Sequence, residues 1–254
     1  MTPDEAITVL AVTSPLPSHP STRILDTTLA SVRYWLPGAD VLLLADGVRE
    51  EQADRRGAYT EALRRHVWNC ANTWDRVTPV LGDKHVHQSG LLRLALPMVR
   101  TPLVLFVEGD CPIVTDEPIE WDGICAAILD GTVNLVRLHH EAHVLAEHEH
   151  LQADPEPICV HGVPLRRTAQ YSGRPHIASA AWYRQVMATE FSPEACCFLE
   201  DRLHSPVQAA FEREGVPGWA LYRLAIYEPR PNAKRSWTLD GREGEPKYDD
   251  RQVW

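Results

Sequence analysis

The sequence predicts an α/β protein built on a mainly parallel sheet with helices on both faces. Short apolar runs alternate with amphipathic helical stretches along the chain. The runs are apolar throughout rather than at every second residue, as in strands buried on both faces. Several end abruptly in acidic or small polar residues, where open sheets present their ligand-binding loops.

Residues 7–13 (ITVLAVT) form the first expected strand, and the proline-rich stretch 14–20 makes a loop. Ser21 or Thr22 caps a helix to about Leu36, with Leu25, Leu29, Val32 and Leu36 at helical spacing and Pro37-Gly38 as its stop. Residues 41–45 are a second strand ended by Asp46-Gly47, 50–68 are helix-compatible, and 77–80 are a short third strand. A helix over 85–98 leads to the strand 103–107, which runs into Glu108-Gly109-Asp110. Residues 121–129 read as helix and 133–138 as strand. The second half is less regular, with Pro-rich loops around 158–160, strands expected at 177–183 and 219–227, and helix over most of 193–214. Residues 228–254 are polar and loop-like. No repeat or composition break divides the chain, so one domain is expected over 1–254, with a regular first half (about 6–115), a less regular second half (about 116–228) and a C-terminal loop (229–254).

Composition narrows the class. The 254 residues are 44% hydrophobic and 24% charged, the balance of a globular protein with a sizeable core. No apolar run approaches the ~20 residues of a membrane span, and the acidic N-terminus lacks a basic leader, so a cytoplasmic location is expected, host cytoplasm if the protein is viral. The six cysteines have no C-x-x-C spacing and read as buried free thiols. A net charge of −10 opposes a broad nucleic-acid footprint, though not a local basic groove.

Two carboxylates one residue apart at a strand's carboxyl end suit an oxygen-seeking divalent cation that also holds phosphates. With the strand ends Thr13-Ser14 and Asp46-Gly47, this order resembles the GT-A glycosyltransferases, particularly the inverting, family-2-like branch. The resemblance covers about residues 6–115 in pattern and continues more weakly at PHIASAAWYR (175–184) and FLEDRL (198–203). It implies a GT-A fold and an enzyme, a hexosyl- or pentosyltransferase, using Mn²⁺ or Mg²⁺ and a nucleotide-diphosphate sugar. It implies that Thr13, Ser14 and Asp46 face the nucleoside, with Gly90 and Arg93 on the helix start beside the donor. Glu108 and Asp110 then hold metal and diphosphate, a glutamate standing where the family's D-x-D begins with aspartate. The ED pair implies a catalytic base, Asp201 first and Glu200 second. Lys234, Arg235 and Arg242 are candidates for a C-terminal lid over the diphosphate, and His176, Trp182 and Asp240 for acceptor or metal contacts. The basic and aromatic motif of processive members is not visible, which implies transfer of one sugar.

Other clusters read more plainly. His139-His140-Glu141-Ala142-His143, with His148 and His150, has H-E-x-H rather than H-E-x-x-H spacing, so a solvated segment or acceptor-pocket rim is expected over a metal site. Trp182 and Tyr183 read as core aromatics before acceptor-stacking ones, and Trp35, Trp68 and Trp121 as core. The acceptor stays open: a small molecule, a glycan, a protein hydroxyl, or DNA carrying 5-hydroxymethylcytosine, with Arg166-Arg167 and residues 230–242 flanking a groove in the last case. The rival class is a non-catalytic nucleotide-sugar-binding protein, with a nucleotidyltransferase ranked below it.

Overall fold

The computed structural model describes residues 1–242. One continuous nine-stranded sheet runs through it in the order β3-β2-β1-β4-β8-β5-β9-β7-β6. In chain order the strands are β1 (Ile7–Thr13), β2 (Asp40–Ala45), β3 (Val77–Leu81), β4 (Leu103–Glu108), β5 (Leu135–Leu138), β6 (Ile158–Val160), β7 (Val163–Arg167), β8 (His176–Ser179) and β9 (Leu224–Tyr227). The helices are α1 (Pro3–Ala6), α2 (Arg23–Trp35), α3 (Arg56–Asn72), α4 (His87–Ala95), α5 (Trp121–Leu129), α6 (Ala180–Thr189), α7 (Leu199–Glu214) and α8 (Val216–Trp219).

The β3-β2-β1-β4 half is all parallel. Beyond it β8 runs antiparallel to both β4 and β5, β9 is again parallel to β5, and the β7–β6 hairpin closes the edge. Successive strand residues point to opposite faces, and both faces are apolar. Val9, Ala11, Leu43, Leu105 and Val107 pack beneath α2 and α5 through Leu25, Leu29, Ile124 and Ile128. Leu10, Leu42, Leu44, Val104 and Phe106 pack beneath α4, α6 and α7 through Leu91, Tyr183 and Leu203. That is why these strands read as continuous apolar runs. Each fully buried Leu or Phe among them contributes about 1.5–3 kcal/mol.

Two expectations give way in the second half and one, at Trp68, in the first. The expected strand at 177–183 stops at Ser179, whose side chain accepts from Trp182 N and starts α6. Trp182 and Tyr183 are therefore helical and buried. The alternation over 219–227 is a strand only from Leu224, because Val216–Trp219 is a helical turn. Trp68, read as core, is 61% exposed on α3, whereas Trp121 is buried and Trp35 partly so. All six cysteines are free, with Cys111 and Cys125 buried but Cys159 and Cys196 exposed. Among the described residues no helix is long and apolar enough to cross a membrane.

Candidate active site

Parallel β1, β2 and β4 end at the same edge of the sheet, in register Val12↔Leu44 and Val12↔Glu108. Their ends line a cavity of 290 Å³, with Thr13, Ser14, Asp46, Glu108 and Asp110 joined by His87, Gln88 and Phe198. It lies at the carboxyl end of the strands, where the chain order reverses around β1 and β4.

Asp46 is 4% exposed and holds the loop before α4 in place. Its Oδ1 accepts from Gly47 N at 2.9 Å and Val86 N at 2.8 Å, and its Oδ2 from His87 N at 3.0 Å. His85 Nδ1 lies 2.6 Å from the same Oδ2. Arg49 Nε donates to His85 Nε2 at 3.1 Å. Arg49 also reaches His87 Nε2 at 2.6 Å. With its carboxylate accepting from three backbone N–H groups, Asp46 fixes the loop that carries His85 and His87 into the cavity beside Arg49. Gly47 is required because a Cβ there would lie 2.2 Å from the Lys84 carbonyl carbon.

The α4 start is equally tight. A Cβ on Gly90 would sit 2.4 Å from Val86 Cβ, so Gly90 lets the helix close on its own entry and does not line the cavity. Arg93 is a correction. Its Nη2 donates to Ser192 O at 2.7 Å, and it borders an apolar groove with Leu96, Met187 and Phe191 instead of the donor cavity. Gln88 is the residue of this helix that reaches the acids. Its Nε2 donates to Glu108 Oε1 at 2.6 Å, while its Oε1 accepts from Leu199 N at 3.2 Å, joining α4, β4 and α7.

Among the described residues, ligand atoms of Glu108, Asp110 and Cys111 gather within 4.8 Å of one another. Burial, and then the neighbouring Asp110, push Glu108 up to about 7, while Arg174 pulls it partly back, so a further cation beside the two carboxylates would be favourable. The two carboxylates therefore fit a hard divalent metal. Burial holds the Cys111 thiol protonated, which leaves the oxygens as the donors. Arg174 brings a cation to the same place, its Nη1 lying 3.7 Å from Cys111 Sγ and touching Thr238 Oγ1.

The ED pair divides its labour. Asp201 Oδ2 accepts from Phe198 N at 3.3 Å and caps α7. Glu200 Oε2 accepts from Gly173 N at 3.2 Å. A Cβ on Gly173 would lie 3.9 Å from both Glu108 Oε1 and Glu200 Oε2, so this glycine separates the acidic motif from Glu200. On the far side Glu200 borders a second cavity of 350 Å³ with Arg137, His139, His140 and Arg174.

The remaining candidates are placed differently from the expectation. His176 is fully buried, stacked on Phe106 at 5.2 Å, with Nε2 against Tyr183 Oη and its pKa held down to about 4 by burial. It and Trp182 support the sheet and line neither cavity. The segment 233–242 does cross the acidic motif: Leu239 N donates to Asp110 O at 2.7 Å, and Ser18 N to Gly241 O at 2.8 Å. Yet its arginine does not face the motif. Arg235 is 4% exposed, bonded to Pro118 O, Asn232 O and Lys234 O, and 5.8 Å from the Tyr227 ring centroid. Lys234 is buried too, and its charge helps to lower His140. Asp240 Oδ1 accepts from Arg242 N at 2.7 Å in a surface turn. Thr238 is the side chain of this segment that meets the motif. The last part of the expected lid, 243–254, lies outside the described residues.

The basic groove expected for DNA is likewise spent internally. Arg166 pairs with buried Glu228, Arg167 with Asp154, and Arg230 with Glu156 and Glu228. Of the histidine cluster, His139, His140 and His148 line the second cavity, as a pocket rim would.

The fold and the acid-bearing strand ends define a GT-A nucleotide-sugar glycosyltransferase fold. Three solved structures show it. The S. aureus protein TarS (residues 1–349) superposes with a TM-score of 0.55 at 14% identity, over 91% of this chain and 60% of that one. GalNAc-T7, solved with UDP, GalNAc and Mn²⁺, gives 0.55 at 11% identity, over 96% and 46%. The mannosyltransferase PcManGT of Pyrobaculum calidifontis, solved with GDP-Man and Mn²⁺, gives 0.51 at 14%, over 89% and 58%. The chain thus spans about half to three fifths of the proteins it matches. No protein-family model matches the sequence, and no curated protein matches it.

Proposed function

We propose that the protein transfers one glycosyl unit from a nucleotide-diphosphate sugar to an acceptor hydroxyl with inversion at the anomeric carbon. The observation that carries this reading is the placement of Glu108 and Glu200 on either side of Gly173, one facing each cavity. Thr13, Ser14, His87 and Phe198 line the space for the nucleoside, and Glu108 and Asp110 would hold Mn²⁺ or Mg²⁺ with the diphosphate. The metal would supply charge stabilisation for the departing diphosphate. Arg174, beside Cys111, adds a fixed positive charge to that end.

Glu200, rather than Asp201, is the base in this reading. Its Oε2 is held by Gly173 N, which leaves Oε1 to take the acceptor proton. The acceptor oxygen forms a bond to the anomeric carbon as the bond from that carbon to the diphosphate oxygen breaks. The nucleoside diphosphate leaves with the electron pair. The test is a thermal-shift panel of UDP-, GDP-, dTDP- and CMP-linked sugars with and without Mn²⁺, followed by turnover of the stabilising donor. A Mn²⁺-dependent rise with one donor, abolished by Glu108→Gln, supports the reading. A flat panel overturns it. Donor binding without turnover on any acceptor, unaffected by Glu200→Gln, would leave the non-catalytic binding protein.

A further inference from the structure

The second cavity has a chemistry of its own. Arg137 sits on β5 with the side-chain parity of Leu135, facing α4, α6 and α7. It is 3% exposed. Among the described residues its guanidinium makes one hydrogen bond, from Nη2 to Gln170 Oε1 at 3.1 Å, and its Nε has no partner. No carboxylate of the described residues forms an ion pair with it. A buried guanidinium with spare donors is costly unless something meets its charge. Its planar fork matches a carboxylate or a phosphate. Arg174 borders the same cavity.

The imidazoles add a different capacity. His139 Nε2 is 3.1 Å from His143 O, and His140 Nε2 is 3.3 Å from Glu141 Oε1. The His143 carbonyl takes the Nε2–H of His139, which leaves its Nδ1 with the lone pair, and the Nδ1 atoms of both rings are buried without a hydrogen-bond partner. Burial, with Arg137 and Arg174 nearby, keeps the rings neutral, holding His139 down to about 3 and His140 to about 2. Neutral Nδ1 atoms accept from hydroxyl groups. At 350 Å³ the space suits a small molecule.

We propose that the second cavity binds a small hydroxylated anion, which is the acceptor in the glycosyltransferase reading. Arg137 and Arg174 bind its carboxylate or phosphate, His139 and His140 Nδ1 accept from its hydroxyls, and Glu200 faces the hydroxyl that is glycosylated. This rests on the glycosyltransferase reading only for the role of Glu200; the binding itself does not need turnover.

The test is calorimetric titration of the whole chain at neutral pH with glycerate and glycerol 3-phosphate, and with glycerol as the uncharged match. At least one anion is expected to bind, at least about tenfold more tightly than glycerol, a gap of about 1.4 kcal/mol. The two anions separate a carboxylate from a phosphate preference. Arg137→Gln is expected to weaken the anion about tenfold or more, and Arg137→Lys, which keeps charge but loses the fork, by less. Should Arg137→Gln fail to fold, the comparison of glycerol with the anions in the unmodified protein still decides. Glycerol binding as tightly as the anions overturns the proposal, as does anion binding indifferent to Arg137→Gln or no anion binding at roughly 10 mM, ten times a weak millimolar Kd. Glycosylation of a 5-hydroxymethylcytosine duplex without small-anion binding also overturns it. The donor panel run alongside keeps the two readings apart: donor binding without anion binding removes this one alone, and Arg137-dependent anion binding with a flat donor panel removes the glycosyltransferase reading alone.

Discussion

The first cavity is assembled from three strand ends, at 13–14, 46–47 and 108–110. The second cavity takes Arg137 from β5, His139 and His140 from the loop after it, Arg174 from the loop before β8, and Glu200 from α7. The first needs only parallel strands in register, which bring consecutive strand ends together whatever the loops do. The second needs β8 inserted antiparallel between β4 and β5, since that insertion carries Gly173 and Arg174 to the acidic motif. Their chemistry differs as well. The first sets Asp46, Glu108 and Asp110 against one arginine, Arg49, whereas the second sets Arg137 and Arg174 against Glu141 and Glu200, and Glu200 and Glu108 both lie close to Gly173.

The sharpest way to break this division is at Glu200. Glu200→Gln should cut turnover by roughly 10²–10⁴-fold, the usual worth of a general base, while donor binding stays unchanged. Asp201→Asn should leave turnover within a few-fold of the unmodified protein. Steady-state rates with the identified donor decide it, and the reverse pattern would move the base to Asp201 and detach the second cavity from the chemistry.

Asp46 tests whether the first cavity is as self-organised as it looks. Asp46→Ala strands the buried N–H groups of Gly47, Val86 and His87 and should cost about 3 kcal/mol or more in denaturant unfolding. An effect well under 1 kcal/mol would mean the loop is held by other contacts.

The acidic motif comes next. Mn²⁺ at 100 times its Kd should stabilise the protein by about 2.7 kcal/mol, and Glu108→Gln or Asp110→Asn should abolish that gain. A metal-induced shift that survives both substitutions would place the ion elsewhere. Asp201→Ala is expected to be milder, about 1 kcal/mol, the value of a helix cap.

The smallest effect near neutrality concerns pH. His19, His139 and His176 are held by burial to about 4, 3 and 4, below their ordinary 6.5. The unfolded chain therefore takes up these protons first. Their contribution to stability is intact above pH 6.5 and drains away as the pH falls towards 4. Chemical denaturation between pH 7 and pH 4 should show little change at first and a steepening loss below 6. Flat stability over that range would mean that the buried rings protonate in place.

Much of the first half was legible because each signal was local. Uninterrupted apolar runs at 7–13, 41–45 and 103–107 mark strands covered on both faces, and Glu108-Gly109-Asp110 marks the ligand-facing end of one. Arg93 misled because helical periodicity says that it shares a helix with Gln88, not which of the two turns inward. Arg137 and Gln88 carried no local mark at all. A polar residue in a short strand or at a helix start reads as solvent-facing until the opposite wall is known. Arg166, Arg167 and Arg230 looked like a basic surface because their carboxylate partners Glu228, Asp154 and Glu156 are remote in sequence or ordinary in context.

By itself the sequence determined the α/β class, the strand ends that line the first cavity and the acid pair among them, because hydrophobic period and chain punctuation are properties of neighbouring residues. Only the tertiary structure decided that Asp46 is engaged by its own loop, that Glu200 and not Asp201 lines the second cavity, and that Arg235 and His176 are internal. Those are outcomes of long-range burial and hydrogen bonding, in which a side chain's role is set by whichever partners the fold brings within about 3 Å of it.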